Sequence, residues 1–336
     1  MRTATVIGVI AALVGAVLFF GRGDELGPNP YVVIGFVSGA VYGLVALGLV
    51  LVYKGSRVFN FAQGEFGTMA AFIAFFLTEQ FGERNIPLGL AVVVAIVAVV
   101  LIGLLMERVL VRPLLNASRI NLLVGTIAFA LFCIAIEILV FLPEVKTLQP
   151  IVQGINEQGL SSGLTLFAHV VSPQEMIAIG TLLFFAIVFA YFFSRTDLGL
   201  AILATSQDEF ATRVVGIGVE RTSRFIWGGA AFLGAIAGIL YAPIAGLLVP
   251  GVVTTGVLIP AFTAAVIGGM TSLPGAFVGG VVVGLIQNLS QWASNHYHIG
   301  EKAIQEIVPS LPDVMLVLAL LLVLLARPQG LLGSEA

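Results

Sequence analysis

An all-α polytopic membrane protein is the fold class that this sequence predicts, with about ten transmembrane helices (8–10), both termini inside, and internal pseudo-symmetric halves containing broken helices. Three observations predict it. Of 336 residues, 59% are hydrophobic and only 10% are charged, where soluble domains carry roughly 45–50% and 25%. The mean hydropathy is +1.10. From Phe225 to Gly300 there is no Asp, Glu, Lys or Arg. As one helix those 76 residues would run on the order of 110 Å at about 1.5 Å per residue, so across a core of about 30 Å they must cross and recross.

Taken in order, apolar runs long enough to span fall at 4–21, 31–53, 59–78, 88–106, 120–142, 176–193, 225–249, 253–270, 275–292 and 313–326. The first follows Arg2 as a secretory signal would. Its core is long, however, and Phe19-Phe20-Gly21-Arg22 offers no small-x-small cleavage site, so it reads as a membrane helix. The run 253–270 crosses fully or re-enters. The last is short and extends toward Pro312 or Pro328. With the N-terminus inside, Arg2, Lys54, Arg57, Arg108, Arg112 and Arg119 are cytoplasmic, as are Arg195, Arg213, Arg221, Arg224 and Arg327. Only Arg22, Arg84, Lys146 and Lys302 fall outside. That excess satisfies the positive-inside rule. The outer loops are 143–175 and 293–312, the long inner loop is 194–224, and residues 1–336 form a single transmembrane domain.

Glycine makes up 39 of the residues. Gly35/Gly39/Gly43 and Gly275/Gly279 have the small-x-x-x-small spacing that lets membrane helices approach closely. Gly268-Gly269, followed by Thr271-Ser272-Leu273-Pro274-Gly275, reads instead as a break. Broken backbone at membrane depth survives only when buried in protein or lining a wet cavity.

Several function classes are excluded. A net charge of −3 with scattered basic residues leaves no nucleic-acid footprint. Cys133 is the only cysteine, in an apolar stretch, and reads as a small core residue. None of the three lysines stands in a G-x-x-x-x-G-K pattern, so ATP is not bound here. No catalytic triad, HExxH or paired-carboxylate pattern occurs, and His296-Tyr297-His298 lacks a third ligand. No catalytic residue, metal or cofactor is expected on this chain.

Two constellations remain. Asn60, Gln63 and Glu65 open the third apolar run, just after the basic turn Lys54-Gly55-Ser56-Arg57. Asn60 with Gln63 has capping-box spacing, and Glu65 in a first turn suits the helix dipole. A polar trio inside an apolar run also lines a pathway, since intramembrane ionisable residues are functional candidates. The two readings are compatible. In the inner loop, Ser206-x-x-Glu209 repeats the capping box and Gly216 is a natural stop. They bracket a helix of about two and a half turns containing Asp208, Phe210, Ala211 and Val214. So short a helix needs something packed on its apolar side: either this protein's own inner face or a cytoplasmic partner. Glu107-Arg108 and Glu137 read as pairs or caps at helix ends.

The stretch from Gly39 to Phe76, with YGLVALG leading into NFAQGEF, resembles the Liv-type permease family of branched-chain amino acid ABC importers. That family often has histidine where this chain has Gln63. Thr196-Asp197-Leu198-Gly199, Gln207-Asp208 through Gly216-Ile217, and Phe262-Thr263 through Gly268-Gly269 with Leu273-Pro274-Gly275-Ala276 resemble further signatures, as does the ending Arg327-Pro328-Gln329-Gly330-Leu331-Leu332-Gly333. Residues 1–30 and the 143–175 loop carry little of it. The resemblance implies a permease subunit in a bacterial or archaeal cytoplasmic membrane, paired as a homo- or heterodimer. Two cytoplasmic ATPase subunits would supply ATP hydrolysis, and an extracytoplasmic solute-binding protein would deliver a branched-chain amino acid, urea or a short amide. It makes 194–224 the coupling loop, with Ser206 to Gly216 as the coupling helix, and adds Thr263, Gly268 and Gly269 to the pathway candidates. An ion-coupled secondary carrier is the alternative; Glu65 and Glu137 are its only plausible ionisable residues.

Overall fold

A computed structural model of the chain describes residues 29–80, 86–114, 118–142, 144–151, 164–166, 169–207, 209–216, 218–296, 311–327 and 329–333. Within these the protein is almost wholly helical, as hydrocarbon demands of a chain whose backbone groups must be satisfied internally. The helices are α1 (Asn29–Ser56), α2 (Gln63–Phe75, continued by a π turn Phe76–Gln80) and α3 (Leu88–Met106, prolonged through Glu107–Val111 and Arg112–Leu114). There follow α4 (Arg119–Phe141), α5 (Pro173–Arg195), α6 (Asp197–Gln207), α7 (Glu209–Val214) and α8 (Val219–Ala245). The chain ends with α9 (Val252–Gly256), α10 (Leu258–Gly268), α11 (Leu273–His296) and α12 (Leu311–Ala326).

At the centre α1 packs along α11, with α8, α10 and α5 around it. The contact runs through glycines: a Cβ on Gly39 would sit 2.8 Å from the Gly280 carbonyl oxygen, and one on Gly35 would sit 3.1 Å from that of Gly284. The small-residue spacing in both helices is therefore helix packing, as its period predicts. Apolar side chains on α3, α4, α5 and α12 face outward instead, among them Leu101, Leu139, Ile187 and Leu325. They form the surface that hydrocarbon covers.

The structure corrects several boundaries. Among the described residues, six helices are long and apolar enough to span: Pro30–Ser56, Leu88–Leu114, Arg119–Phe141, Pro173–Arg195, Val219–Ala245 and Leu273–Asn295. The expected run 59–78 becomes helical only at Gln63. The expected run 253–270 is two short helices that begin after a left-handed Gly251 (φ 70°) and meet at Val257. Residues 4–21 lie outside the described part. In the segment 143–175, strands β1 (Leu164–Leu166) and β2 (His169–Val171) pair antiparallel with Leu164 opposite Val171, and Lys146 exchanges backbone hydrogen bonds with Leu248 at 3.0 and 2.7 Å. Neither pairing has a local sequence signal.

The inner loop is also divided differently. Thr196, in extended backbone, accepts the Gly199 amide on its hydroxyl at 3.1 Å and starts α6 ten residues before Ser206. Ser206 therefore lies in the last turn of α6 rather than ahead of a new helix. The helix that follows has only six residues, Glu209–Val214. Gly216 does end it, with φ 84°.

Candidate functional site

The site begins where α1 stops. Arg57 takes a left-handed conformation (φ 55°) and its amide closes onto Tyr53 at 2.8 Å. The chain then runs without helix until Ala62. Three side chains satisfy this stretch. Asn60 Oδ1 accepts the Ala62 amide at 3.0 Å, Asn60 Nδ2 donates to Gln63 Oε1 at 3.2 Å, and Thr126 on α4 accepts the Phe61 amide at 3.2 Å. Phe59 and Phe61 pack on Phe262 of α10, with ring centres 5.2 and 6.5 Å apart.

The expected capping box does not form. The N-cap of α2 is Ala62, without a side-chain bond, and Gln63 turns away from it to donate from Nε2 to the Ala230 carbonyl of α8 at 2.9 Å. Ala230 is the twelfth residue of α8, about 16 Å along its axis. Gln63 thus sits near the middle of the bundle, and α2 begins part-way along α8 rather than at its end.

Glu65 does occupy the first turn, where the dipole favours it. It is fully buried, and neither of its carboxyl oxygens has a hydrogen-bond partner among the described residues. It lies beside Gly251: a Cβ added there would come 3.8 Å from Glu65 Oε1. The same glycine donates its amide to Glu137 Oε2 of α4 at 2.9 Å, while Glu137 Oε1 and the Thr254 hydroxyl have no hydrogen-bond partner among the described residues. Thr68 accepts the Val253 amide at 3.2 Å. The broken entry to α9 is therefore cradled by α2 and α4, and two carboxyl groups face one turn. Neither takes part in an ion pair among the described residues.

A family model described as "Branched-chain amino acid transport system / permease component" matches residues 31–326. The chain belongs to this permease family. It is 30% identical over 306 residues to the high-affinity branched-chain amino acid transport system permease protein BraD of Pseudomonas aeruginosa, covering 89% of this chain and 94% of that one. It is 29% identical to the LivH permease protein of Escherichia coli K12, over 89% and 93% of the two chains. To a probable LivH permease of Methanocaldococcus jannaschii it is 28% identical, over 73% and 76%. This protein is accordingly a multi-pass permease subunit of an ABC importer and not itself an enzyme. ATPase and binding-protein partners follow in general from that membership.

In this permease the other pathway candidates separate from the cluster. Thr263 is buried on α10, next to the Phe262 that packs on the Asn60 loop. Gly268 and Gly269 lie at the far end of α10, about 15 Å along its axis from Leu258. Gly269 has φ 104°, and Gly268 is pressed against the Gly275 backbone. The C-terminal segment laces onto this break: Leu331 and Leu332 donate their amides to the Ile267 and Gly268 carbonyls at 2.8 and 3.0 Å. Lys54 Nζ donates to the Thr271 carbonyl at 3.1 Å. Asn60, Gln63 and Glu65 thus gather around one turn, and Gly268 with Gly269 makes a second, separately sealed joint.

Glu137, Thr68, Gly251 and Thr254 join the cluster without having been read as part of it. Glu137 carried a signal as an acid within an apolar run; its expected role as a helix-end cap gives way to the Gly251 bond. Glu107 pairs with Arg112 at 3.3 Å rather than with its neighbour Arg108.

Of the coupling candidates, Asp208 lies outside the described residues. Glu209, Phe210, Ala211 and Val214 fall on α7 and Ser206 on α6. Val214 and Val215 are 71% and 73% exposed.

Proposed function

We propose that this permease imports a branched-chain amino acid, with urea or a short amide as the other candidate cargo, across a bacterial or archaeal cytoplasmic membrane. A solute-binding protein delivers the cargo outside. Two ATPase subunits bind inside and hydrolyse the ATP, and a second permease subunit, identical or related, completes the pathway. This chain holds no cofactor and no metal of its own. It crosses about ten times as one domain with both termini inside, and loop 194–224 couples it to the ATPase.

The observation that carries the pathway reading is the buried group of Asn60, Gln63, Glu65 and Glu137 around the broken α2 and α9. Two carboxyl groups buried together without an ion pair among the described residues are costly, and beyond the Gly251 bond of Glu137 the packing does not require them. Thr263, buried on α10, and the Gly268-Gly269 joint stand apart from that group and are the further pathway candidates. An ion-coupled carrier is the weaker reading, because family membership already supplies the energy source through separate ATPases.

The test is reconstitution with its partner ATPase and solute-binding protein, followed by ATP-driven uptake of leucine, isoleucine, valine and urea. Leucine-class uptake that Glu65→Gln abolishes supports both parts of the reading. Uptake of urea alone overturns the cargo, and full uptake by Glu65→Gln overturns the pathway. Uptake without ATP that follows a proton gradient would restore the carrier.

A further inference from the structure

A cavity of about 810 Å³ opens between α3, α5 and α8, on the opposite side of α8 from the Gln63 strut. Its walls are aromatic: Phe185, Phe189 and Phe192 from α5 meet Phe225 and Phe232 from α8. The rings hold one another, with Phe192 stacked on Phe225 at 5.0 Å and Phe185 edge-on to Phe232 at 5.5 Å. Gly228 and Gly229 give the groove its depth, and Val100 and Leu104 of α3 close the far wall.

One end is different. Arg221 and Arg224 line it, three residues apart and so on one face of α8. Neither pairs with a carboxylate among the described residues; the acid just before them in sequence, Glu220, is engaged by Arg112 at 3.0 Å. Arg224 Nε donates only to the Glu220 backbone carbonyl, at 3.3 Å. From Arg221 to Phe232 the groove follows α8 for about 16 Å, which is half of a hydrocarbon core of about 30 Å. An apolar slot one leaflet deep, with two guanidinium groups at its polar end, has the dimensions and the charge of a lipid.

We infer that this groove binds one anionic phospholipid, its acyl chain against the phenylalanine wall and its phosphate held by Arg221 and Arg224. Guanidinium groups suit phosphate because they donate in a planar fork, and basic pockets between helices at the cytoplasmic side are where anionic headgroups settle. The lipid fills space between α5 and α8, the two helices that flank loop 194–224, so its binding stiffens the frame of that loop.

The experiment uses the full permease in its complex, equilibrated in vesicles of equimolar phosphatidylglycerol and phosphatidylcholine. It is then extracted, and retained lipids are counted by native mass spectrometry. Wild type is expected to keep one phosphatidylglycerol per permease chain in preference to phosphatidylcholine. The double variant R221Q/R224Q, on an exposed helix end, should lose that preference by about tenfold or more, consistent with two charge-assisted bonds. Gly228→Leu should lose the lipid with both arginines intact, because a Cβ there already meets Leu104 Cδ2 at 3.2 Å and a larger group fills the slot. Equal retention of the two lipids by wild type overturns the inference, as does undiminished phosphatidylglycerol on either variant. So does a disulfide from Val188→Cys to a second permease chain in a Cys133→Ala background, since a protein helix would then cover the groove.

Discussion

Glu137 on α4 accepts the amide of Gly251 at 2.9 Å, across 114 residues of sequence. Gly251 stands in the left-handed region (φ 70°), so the turn into α9 is built on a residue free of the Cβ penalty and is anchored by a single acceptor. Removing that acceptor in Glu137→Ala leaves a buried amide unpaired and should destabilise the permease by about 1–3 kcal/mol. Glu137→Gln keeps an oxygen in place and should unfold no earlier than wild type. Thermal unfolding of the purified complex reads both. Equal stability of the alanine and glutamine variants would mean that the bond does not hold the turn.

Gln63 fills the space opposite Gly48. A Cβ on Gly48 would collide with its side-chain amide, the same amide that donates to Ala230. Gly48→Ala should therefore displace Gln63 and cost stability, while Gln63→Ala should make Gly48→Ala nearly harmless. Residues that share a contact are non-additive by roughly 0.5–3 kcal/mol. Additive single and double variants in the same unfolding assay would separate the two residues.

What could be read in the sequence follows the range of each interaction. The Gly35/Gly39 stripe was legible because packing of two helices repeats every four residues in one strand of sequence. Glu65 in a first turn was legible because the dipole acts within that turn. The Asn60–Gln63 spacing was read as a capping box and misled, since a cap and a strut to Ala230 look alike locally and the partner stands 167 residues away. The backbone at Ser206 departs from the expectation for the opposite reason: Thr196, close by, is an equally acceptable start, and the helix from Asp197 already runs through Ser206. Glu137 was visible as a buried acid but its partner was a glycine amide, which no side-chain pattern announces.

The C-terminal strap has its own signature. Gly330 has φ 79°, and a Cβ there would stand 2.6 Å from the Gly269 backbone. Gly330→Ala should carry a strain of about 1–2 kcal/mol from the left-handed conformation alone, before the collision is counted. The strap amides of Leu331 and Leu332 should then lose their protection in hydrogen exchange, and the end of α10 should open with them. Unchanged protection of both amides would show that the strap is held by other contacts.

The last expectation concerns the inner face. Val214 and Val215 end α7 and are among the most exposed apolar side chains beyond the spans, at 71% and 73%, whereas Thr212 between the same turns is buried at 3%. Around Thr212, Ala211, Arg213, Val214 and Val215 are all exposed, so the end of the helix offers an apolar pair to whatever lies beyond. A six-residue helix does not hold itself together in water, and the lipid-facing surface of this protein is carried by α3, α4, α5 and α12, not by loop 194–224. The expectation is that an ATPase seats on these two valines and covers them. Burying each side chain contributes roughly 1.5–3 kcal/mol, so Val214→Asp with Val215→Asp should weaken docking by at least about tenfold. The permease itself should remain in the membrane at normal abundance, since neither side chain supports its own fold. Co-purification of the ATPase with the variant measures the first effect and membrane abundance the second. Loss of the protein from the membrane would place the valines in its own packing, and full retention of the ATPase would place the docking surface elsewhere on the inner face.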